Sequence, residues 1–308
     1  MKKVFIDGSA GTTGLRIKDR LSGREDIELL TLPEELRKDD GARKEKINEA
    51  DIVFLCLPDA ESVKAVAMIE NENTAVLDTS TAHRTLEGWA YGFPELGEDY
   101  YEKIKNGKRI AVPGCHASGF IALVSPLVKA EVLDGDSLLS CTSLTGYSGG
   151  GKKMIAQYGE EGREALLDAP RTYGLTQTHK HLKEMKALCA LASEPLFMPI
   201  VSDFYSGMSV SVPLHGKNIR GSLSEIKEIY ASLYKGPIVR FAEGNDEEGF
   251  LSASKLSGKD GMEISVFGNE ERFTLNARYD NLGKGASGAA VECMNILLGV
   301  DPTTGLAL

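Results

Sequence analysis

No stretch of this 308-residue chain is apolar for long enough to cross a bilayer. Nor does it open with a basic segment followed by an apolar one, since Val4-Phe5-Ile6 is cut short by Asp7. Positive charge is in deficit: 35 Lys and Arg face 45 Asp and Glu, a formal net charge of -10, whereas a nucleic-acid binder normally carries a basic face. Cysteine is sparse, 5 in all, an odd number scattered without the paired spacing of a metal site. Internal repeats and low-complexity tracts are missing. Together these absences predict a soluble cytoplasmic protein with free thiols, no metal, no membrane and no nucleic-acid partner. What is left, 42% hydrophobic and 26% charged residues, suits a globular chain whose length predicts two domains.

The most chemically pointed stretch is Ile110-Ala111-Val112-Pro113-Gly114-Cys115-His116, which leads into an apolar run from Phe120 to Val128. Pro113-Gly114 forces a turn after a short strand. The spacing of Phe120, Ile121, Leu123, Val124 and Leu127 then predicts a helix with one buried stripe. Cys115 falls in the first turn of that helix, where open N–H groups and the positive dipole end favour a thiolate. The alternative is a buried, inert thiol. Small and polar neighbours on both sides argue against it.

Upstream, Lys3–Asp7 reads as a strand running into Gly8-Ser9-Ala10-Gly11-Thr12-Thr13-Gly14, then a helix with Leu15, Ile17 and Leu21 on one side. Strand, glycine turn and helix open a dinucleotide-binding fold, although the spacing is G-x-x-G-x-x-G and not G-x-G-x-x-G. Ile27–Leu32 reads as the second strand. Beyond it Glu34 and Glu35 suit a ribose hydroxyl while Arg37 and Lys38 suit a 2′-phosphate, which leaves the cofactor open. The run from Glu34 to Lys46 otherwise reads as a solvated charged helix. Ala50–Leu57 is a buried parallel strand stopped by Pro58-Asp59. Ala75–Asp78 is another, ending in Thr79-Ser80-Thr81-Ala82-His83-Arg84, at the strand end where α/β sheets bind ligands. Arg84 is a candidate bidentate anion clamp there.

After Leu133 the pattern changes. Ser137–Leu144 reads as a strand, and Thr145 through Lys153 as a second glycine-rich turn whose amides and lysines could hold a phosphate. His179 and His181 open a helix; two residues apart they point to different faces, which suits a metal poorly and fits one catalytic base plus one substrate contact. Met208–His215 alternates as a half-buried strand, placed at a sheet edge by Pro213. A hairpin turns at Gly268-Asn269, and Asp280 through Gly288 lead into a last helix of small residues.

Taken in order, several stretches resemble one family: Phe5 through Gly14, Phe54 through Asp59, Thr79 through Arg84, Pro113-Gly114-Cys115, Gly146 through Lys152, His179-Lys180-His181 and Asp280 through Gly288. That family is the shorter form of the N-acetyl-gamma-glutamyl-phosphate reductases, within the semialdehyde dehydrogenase superfamily. The resemblance spans nearly the whole chain. It departs at Val112, where the family commonly has Asn, and at Glu292-Cys293, often Gln-Asn. It implies an α/β protein with a Rossmann-type dinucleotide-binding domain (1–114, completed by the helix in 285–308). It further implies an α+β domain with a largely antiparallel sheet, for catalysis and oligomerisation (115–284). The implied activity is NADP-dependent reduction of an acyl phosphate to an aldehyde in arginine biosynthesis, by a homo-oligomer, dimer or tetramer.

By the same resemblance Cys115 forms a thioester and His179 is the acid–base, with the choice between His179 and His181 left open. Ser80, Arg84, Ser148, Gly149, Gly150 and His181 would contact substrate. Gly8, Ser9, Gly11, Thr12, Thr13, Gly14, Arg37, Lys38, Leu57, Pro58 and Asn281 would contact the cofactor. An aspartate-semialdehyde or acetylaminoadipyl-phosphate reductase would share this chemistry. A non-catalytic redox sensor would leave His179 and Arg84 without a purpose.

Overall fold

Short aliphatic strands alternating with charged helices build the first of two units in the computed structural model, which describes residues 1–308. That unit comprises Met1–Pro113 and Ala286–Leu306. Its strands are β1 (Lys2–Asp7), β2 (Ile27–Leu30), β3 (Ile52–Leu55), β4 (Ala75–Asp78), β5 (Ala90–Tyr91) and β6 (Arg109–Ala111). They form one six-stranded sheet in the order β2-β1-β3-β4-β6-β5, parallel at every pairing. All positions of β3 and β4 are buried, as a parallel sheet covered on both faces requires. Along β1 the faces alternate: Val4 and Ile6 enter one apolar cluster and Phe5 the other. The helix Gly288–Leu298 closes the first cluster with Ala289, Val291, Met294 and Ile296.

Helices α1 (Thr12–Leu21), α2 (Asp40–Glu49), α3 (Asp59–Ala67) and α4 (Glu98–Asn106) flank this sheet in sequence. On α1 the buried stripe is Gly14, Ile17 and Leu21, while Leu15 is 42% exposed. The expectation for Leu15 fails because helical geometry sets it off the i, i+4 line joining Ile17 to Leu21. The charged run is also not wholly solvated. Arg43 and Ile47 of α2 turn inward, and the Arg43 Nε and Nη2 donate to Asp7 Oδ2 at 3.1 and 3.0 Å. Burial pushes the Asp7 carboxyl up, opposed by the guanidinium beside it.

The second unit comprises Gly114–Gly285 with Ala307–Leu308. In order it holds α5 (Cys115–Lys129), β7 (Ser140–Gly146), α6 (Gly151–Gly159), β8 (Arg171–Thr172), α7 (His181–Leu188), β9 (Leu196–Ser202) and β10 (Met208–His215). There follow α8 (Leu223–Leu233), β11 (Val239–Phe241), β12 (Met262–Gly268) and β13 (Arg272–Tyr279); the helix Gly288–Leu298 of the first unit is α9. The seven-stranded sheet runs β11-β12-β13-β10-β7-β9-β8. It is parallel at β11–β12 and β7–β9 and antiparallel elsewhere.

Strand β10 buries Met208, Val210, Val212 and Leu214 in strict alternation, yet it lies at the sheet centre and not at an edge. Proline is tolerated because β7 pairs only with Met208 through Ser211, so Pro213 stands beyond that ladder. Helix α5 departs further from expectation. Every residue from His116 to Leu127 is buried, so that stretch of the helix has no solvent face. Pro126 inside it has no N–H to give the Ala122 carbonyl, and Tyr234 Oη donates to that carbonyl at 2.7 Å. Tyr230 of α8 donates likewise to the Leu123 carbonyl.

Candidate active site

Cys115 is the first residue of α5, partly exposed, and the preceding Gly114 offers no side-chain cap. Two side chains fix this turn. Glu184 Oε1 on α7 accepts the Gly114 N–H at 2.8 Å. Tyr279 Oη at the end of β13 donates to the Cys115 carbonyl at 2.5 Å and accepts the Gly119 N–H at 3.0 Å. Gly119 has to be glycine for this, since a Cβ there would stand 2.7 Å from Tyr279 Oη and from Val210 Cγ2. Gly285 lies against the carbons of the cysteine itself, so close that a Cβ on it would stand 3.1 Å from Cys115 Cβ. Burial pushes the Cys56 thiol up to about 12, and the buried Cys141 and Cys189 are also raised.

Beside Cys115 in sequence, His116 lies at the centre of a ring cluster. Its centroid is 5.7 Å from His179, 5.6 Å from His181, 6.0 Å from Tyr173 and 5.3 Å from Phe197. His179 and His181 are themselves 4.7 Å apart. They do not diverge on one helix as expected, because α7 begins only at His181 and His179 sits in the turn before it. His179 Nδ1 accepts the His181 backbone N–H at 3.2 Å, so the neutral ring carries its proton on Nε2. Burial, then the charge of Lys180, lowers the His179 pKa. Burial also holds His116 down to about 3, with His179 adding to the effect, so it is neutral at physiological pH.

The second glycine turn hangs from the strand ends. Gly146 N–H donates to Gly207 O at 3.0 Å and Ser148 N–H to Tyr205 O at 2.9 Å. Asn281 joins them: its Oδ1 accepts Gly207 N–H and its Nδ2 donates to Ser148 Oγ at 3.0 Å. Buried and so engaged, Ser148 and Asn281 anchor the turn. Gly149 and Gly150 are exposed at the uncapped start of α6, followed by exposed Lys152 and Lys153.

In the first unit, Gly8 (φ +86°) packs so closely on the β3–α3 loop that a Cβ would lie 2.3 Å from Cys56 O. A Cβ on Gly14 would lie 2.5 Å from Gly8 O. The turn therefore brings Ser9, Gly11, Thr12 and Thr13 to an α1 N-terminus with no side-chain cap, beside Leu57 and the α3 N-cap Pro58. Such a cradle fits the pyrophosphate of a dinucleotide. Arg37 pairs with Glu34 and Lys38 is exposed. Ser80 does not face outward, since its Oγ donates to Asp78 Oδ2 at 2.6 Å. The same buried carboxylate takes Ser62 Oγ at 2.9 Å and His83 Nδ1 at 2.5 Å. Arg84, also buried, spends Nε on Val112 O and Nη2 on Thr79 O, both at 2.8 Å. These two carbonyls hold Nε and Nη2 of the guanidinium, as a buried arginine requires.

Residues 3–105 match the family model described as semialdehyde dehydrogenase, NAD binding domain, and residues 115–281 the model described as semialdehyde dehydrogenase, dimerisation domain. N-acetyl-gamma-glutamyl-phosphate reductase 2 of Nostoc sp. is 42% identical over 99% of this chain and 99% of its own length. The reductase of that name from Chelativorans sp. is 43% identical over 96% and 98%. The chain belongs to the N-acetyl-gamma-glutamyl-phosphate reductase family. It is thereby an oxidoreductase that works with a nicotinamide dinucleotide. Aspartate semialdehyde dehydrogenase II of Vibrio cholerae, at TM-score 0.72, 16% identity and coverage of 97% and 98%, shares the fold. So does an aspartate semialdehyde dehydrogenase with NADP from Candida albicans, at TM-score 0.66, 16% identity and coverage of 97% and 98%.

Within that family the departure at Val112 costs nothing visible. Its side chain fills the apolar core, while its backbone N–H and C=O are held by Asp78 O and Arg84. Glu292 and Cys293 are both buried on α9. Sequence reasoning missed Glu184, Tyr279, Tyr173 and His116. Glu184 follows His181 by one helical turn and was legible as the same face; Tyr173 and Tyr279 gave no local signal.

Proposed function

We propose that the chain reduces N-acetyl-gamma-glutamyl phosphate to N-acetyl-glutamate semialdehyde and inorganic phosphate, with NADP as its dinucleotide, through a thioester on Cys115. The observation that carries this reading is a partly exposed thiol at an uncapped helix start whose neighbour His116 clusters with His179 and His181. The Cys115 thiolate attacks the acyl carbon, and the C–O bond to phosphate breaks with its electron pair leaving on phosphate. Gly149 and Gly150 amides, with Lys152 and Lys153, receive the departing anion. A bound nicotinamide dinucleotide supplies the hydride that reduces the thioester carbon. His179, its proton on Nε2, donates to the oxygen as negative charge gathers there. As His179 takes that proton back, the oxygen's electron pair forms the C=O bond, the C–S bond breaks and Cys115 leaves as thiolate with the aldehyde formed. This tautomer supports the acid half of the role expected for His179. His181 then serves substrate binding. Arg84 acts indirectly, by holding the Val112 carbonyl three residues before the thiol.

The unit Gly114–Gly285 is read as the catalytic and oligomerising domain, and the protein as a homo-oligomer. Supporting the choice of NADP are Arg37 and Lys38 beyond β2. The test assays the reverse reaction, with phosphate and a panel of semialdehydes, against NADP and NAD. N-acetyl-glutamate semialdehyde should be the best substrate, and reversing the charge of Arg37 and Lys38 should raise KM for NADP far more than for NAD. Preference for aspartate semialdehyde, or for NAD in the unaltered chain, would contradict the reading.

A further inference from the structure

The outer edge of β9 is closed at every second residue by the segment that leads to α7. Strand β8 pairs Arg171 with Val201, and Tyr173 N–H then donates to Pro199 O at 3.0 Å. At Phe197 a side chain takes the place of a strand. Gln177 Nε2 donates to Phe197 O at 2.7 Å, and Gln177 Oε1 accepts Phe197 N–H at 2.9 Å. One amide group thus answers both backbone groups of one strand residue, as a paired residue of a further strand would. The backbone of Gln177 is held at a cost. Its φ is +55°, a conformation that glycine adopts freely and a residue with a Cβ adopts with strain. Three residues earlier Gly174, at φ +63°, fills such a position, and Gln177 N–H donates to its carbonyl at 3.0 Å. At one end of this turn the chain uses glycine. At the other it keeps a side chain where glycine would fit with less strain, so the amide has a use beyond turning the chain.

That use lies two residues on, at His179, whose ring packs edge-on to the Phe197 ring with centroids 5.2 Å apart. The amide therefore ties the loop that carries His179 to the strand residue on which His179 rests. We propose that Gln177 is a positioning residue that fixes His179 against Phe197 by clamping the Phe197 backbone. The inference rests on the reading of His179 as the acid–base of the reaction. The ring's other neighbours are His181 at 4.7 Å, His116 at 5.7 Å and Tyr173 at 6.1 Å, with the charge of Lys180 beside it in sequence. Gln177 itself is exposed, so water can take over at the Phe197 N–H and C=O when the amide is lost. What its loss disturbs is then the placement of His179 and not the strand.

The test is Gln177→Gly in the full chain, which deletes the clamp and relieves the backbone at once. For a residue that only turns the chain this change is neutral or stabilising and leaves kcat alone. For a clamp it should leave thermal unfolding as it was or slightly improved, yet lower kcat of the reverse reaction by about tenfold through a misplaced acid–base group. KM for aldehyde, phosphate and dinucleotide should stay within about twofold, since a positioning loss falls on the chemical step. Gln177→Asn keeps an amide and tolerates the left-handed backbone but is one methylene short, so its kcat should fall with that of the glycine variant. A second readout needs no substrate: the histidine Cε1–H signals followed by NMR across pH, with the His179 signal assigned by its loss in His179→Asn. Burial holds the His179 pKa down, so release from Phe197 should move its midpoint up toward the ordinary value of about 6.5. An unmoved His179 midpoint in Gln177→Gly overturns the proposal, as does an unaltered kcat. A fall in kcat matched by a loss of thermal stability also overturns it, making Gln177 a cover for the edge of β9. A raised midpoint, with no semialdehyde turned over by the unaltered chain, would sink the proposed reaction and leave the clamp standing.

Discussion

A single residue, His116, shows how position decides chemistry. As a surface histidine it would titrate near 6.5; enclosed by Tyr173, Phe197 and the two other histidines it is held down to about 3. Between those values the unfolded chain binds a proton that the native ring refuses, so stability falls as pH drops through that window. One such group lowers stability by about 2 kcal/mol between pH 7 and pH 5. His179, also lowered, pulls in the same direction. Urea unfolding at the two pH values should show the loss, and His116→Asn should flatten the slope by the share of this one ring. An unchanged slope in that variant would mean His116 is protonated in the folded protein. The residue was open to notice from its place after Cys115, but not its burial, which depends on residues 27 to 81 positions away.

Elements were legible where the signal is local. The Gly8–Gly14 turn, the alternation of β10 and the hairpin at Gly268 each follow from neighbouring residues and stand in the structure as read. What the local signal did not carry was long-range: β10 at the sheet centre, Arg43 drawn inward by Asp7, and the internal partners of Ser80 and Arg84. Helix α5 contributes a testable case of such long-range pairing. Tyr234→Phe should leave the Ala122 carbonyl buried without a donor and cost about 1–3 kcal/mol in urea unfolding. Pro126→Ala restores an N–H four residues on and should recover much of that loss in the double variant. A loss of the same size in both Tyr234→Phe backgrounds would show that the tyrosine acts by packing and not by supplying the missing proton.

For the whole molecule, the two family models divide the work between a dinucleotide-binding segment and the segment that begins at Cys115. No helix is long and apolar enough to cross a membrane. The central claim is covalent: an acyl group passes from phosphate to the Cys115 sulfur before any reduction. Mass spectrometry of the intact protein tests it most directly, after mixing with N-acetyl-gamma-glutamyl phosphate in the absence of reduced dinucleotide and quenching in acid. The account predicts a gain of one N-acetylglutamyl group, mapped to the peptide that carries Cys115, discharged on adding NADPH, and missing from an inactive Cys115→Ser variant. No adduct, an adduct on another residue, or a fully active Cys115→Ser variant would contradict it.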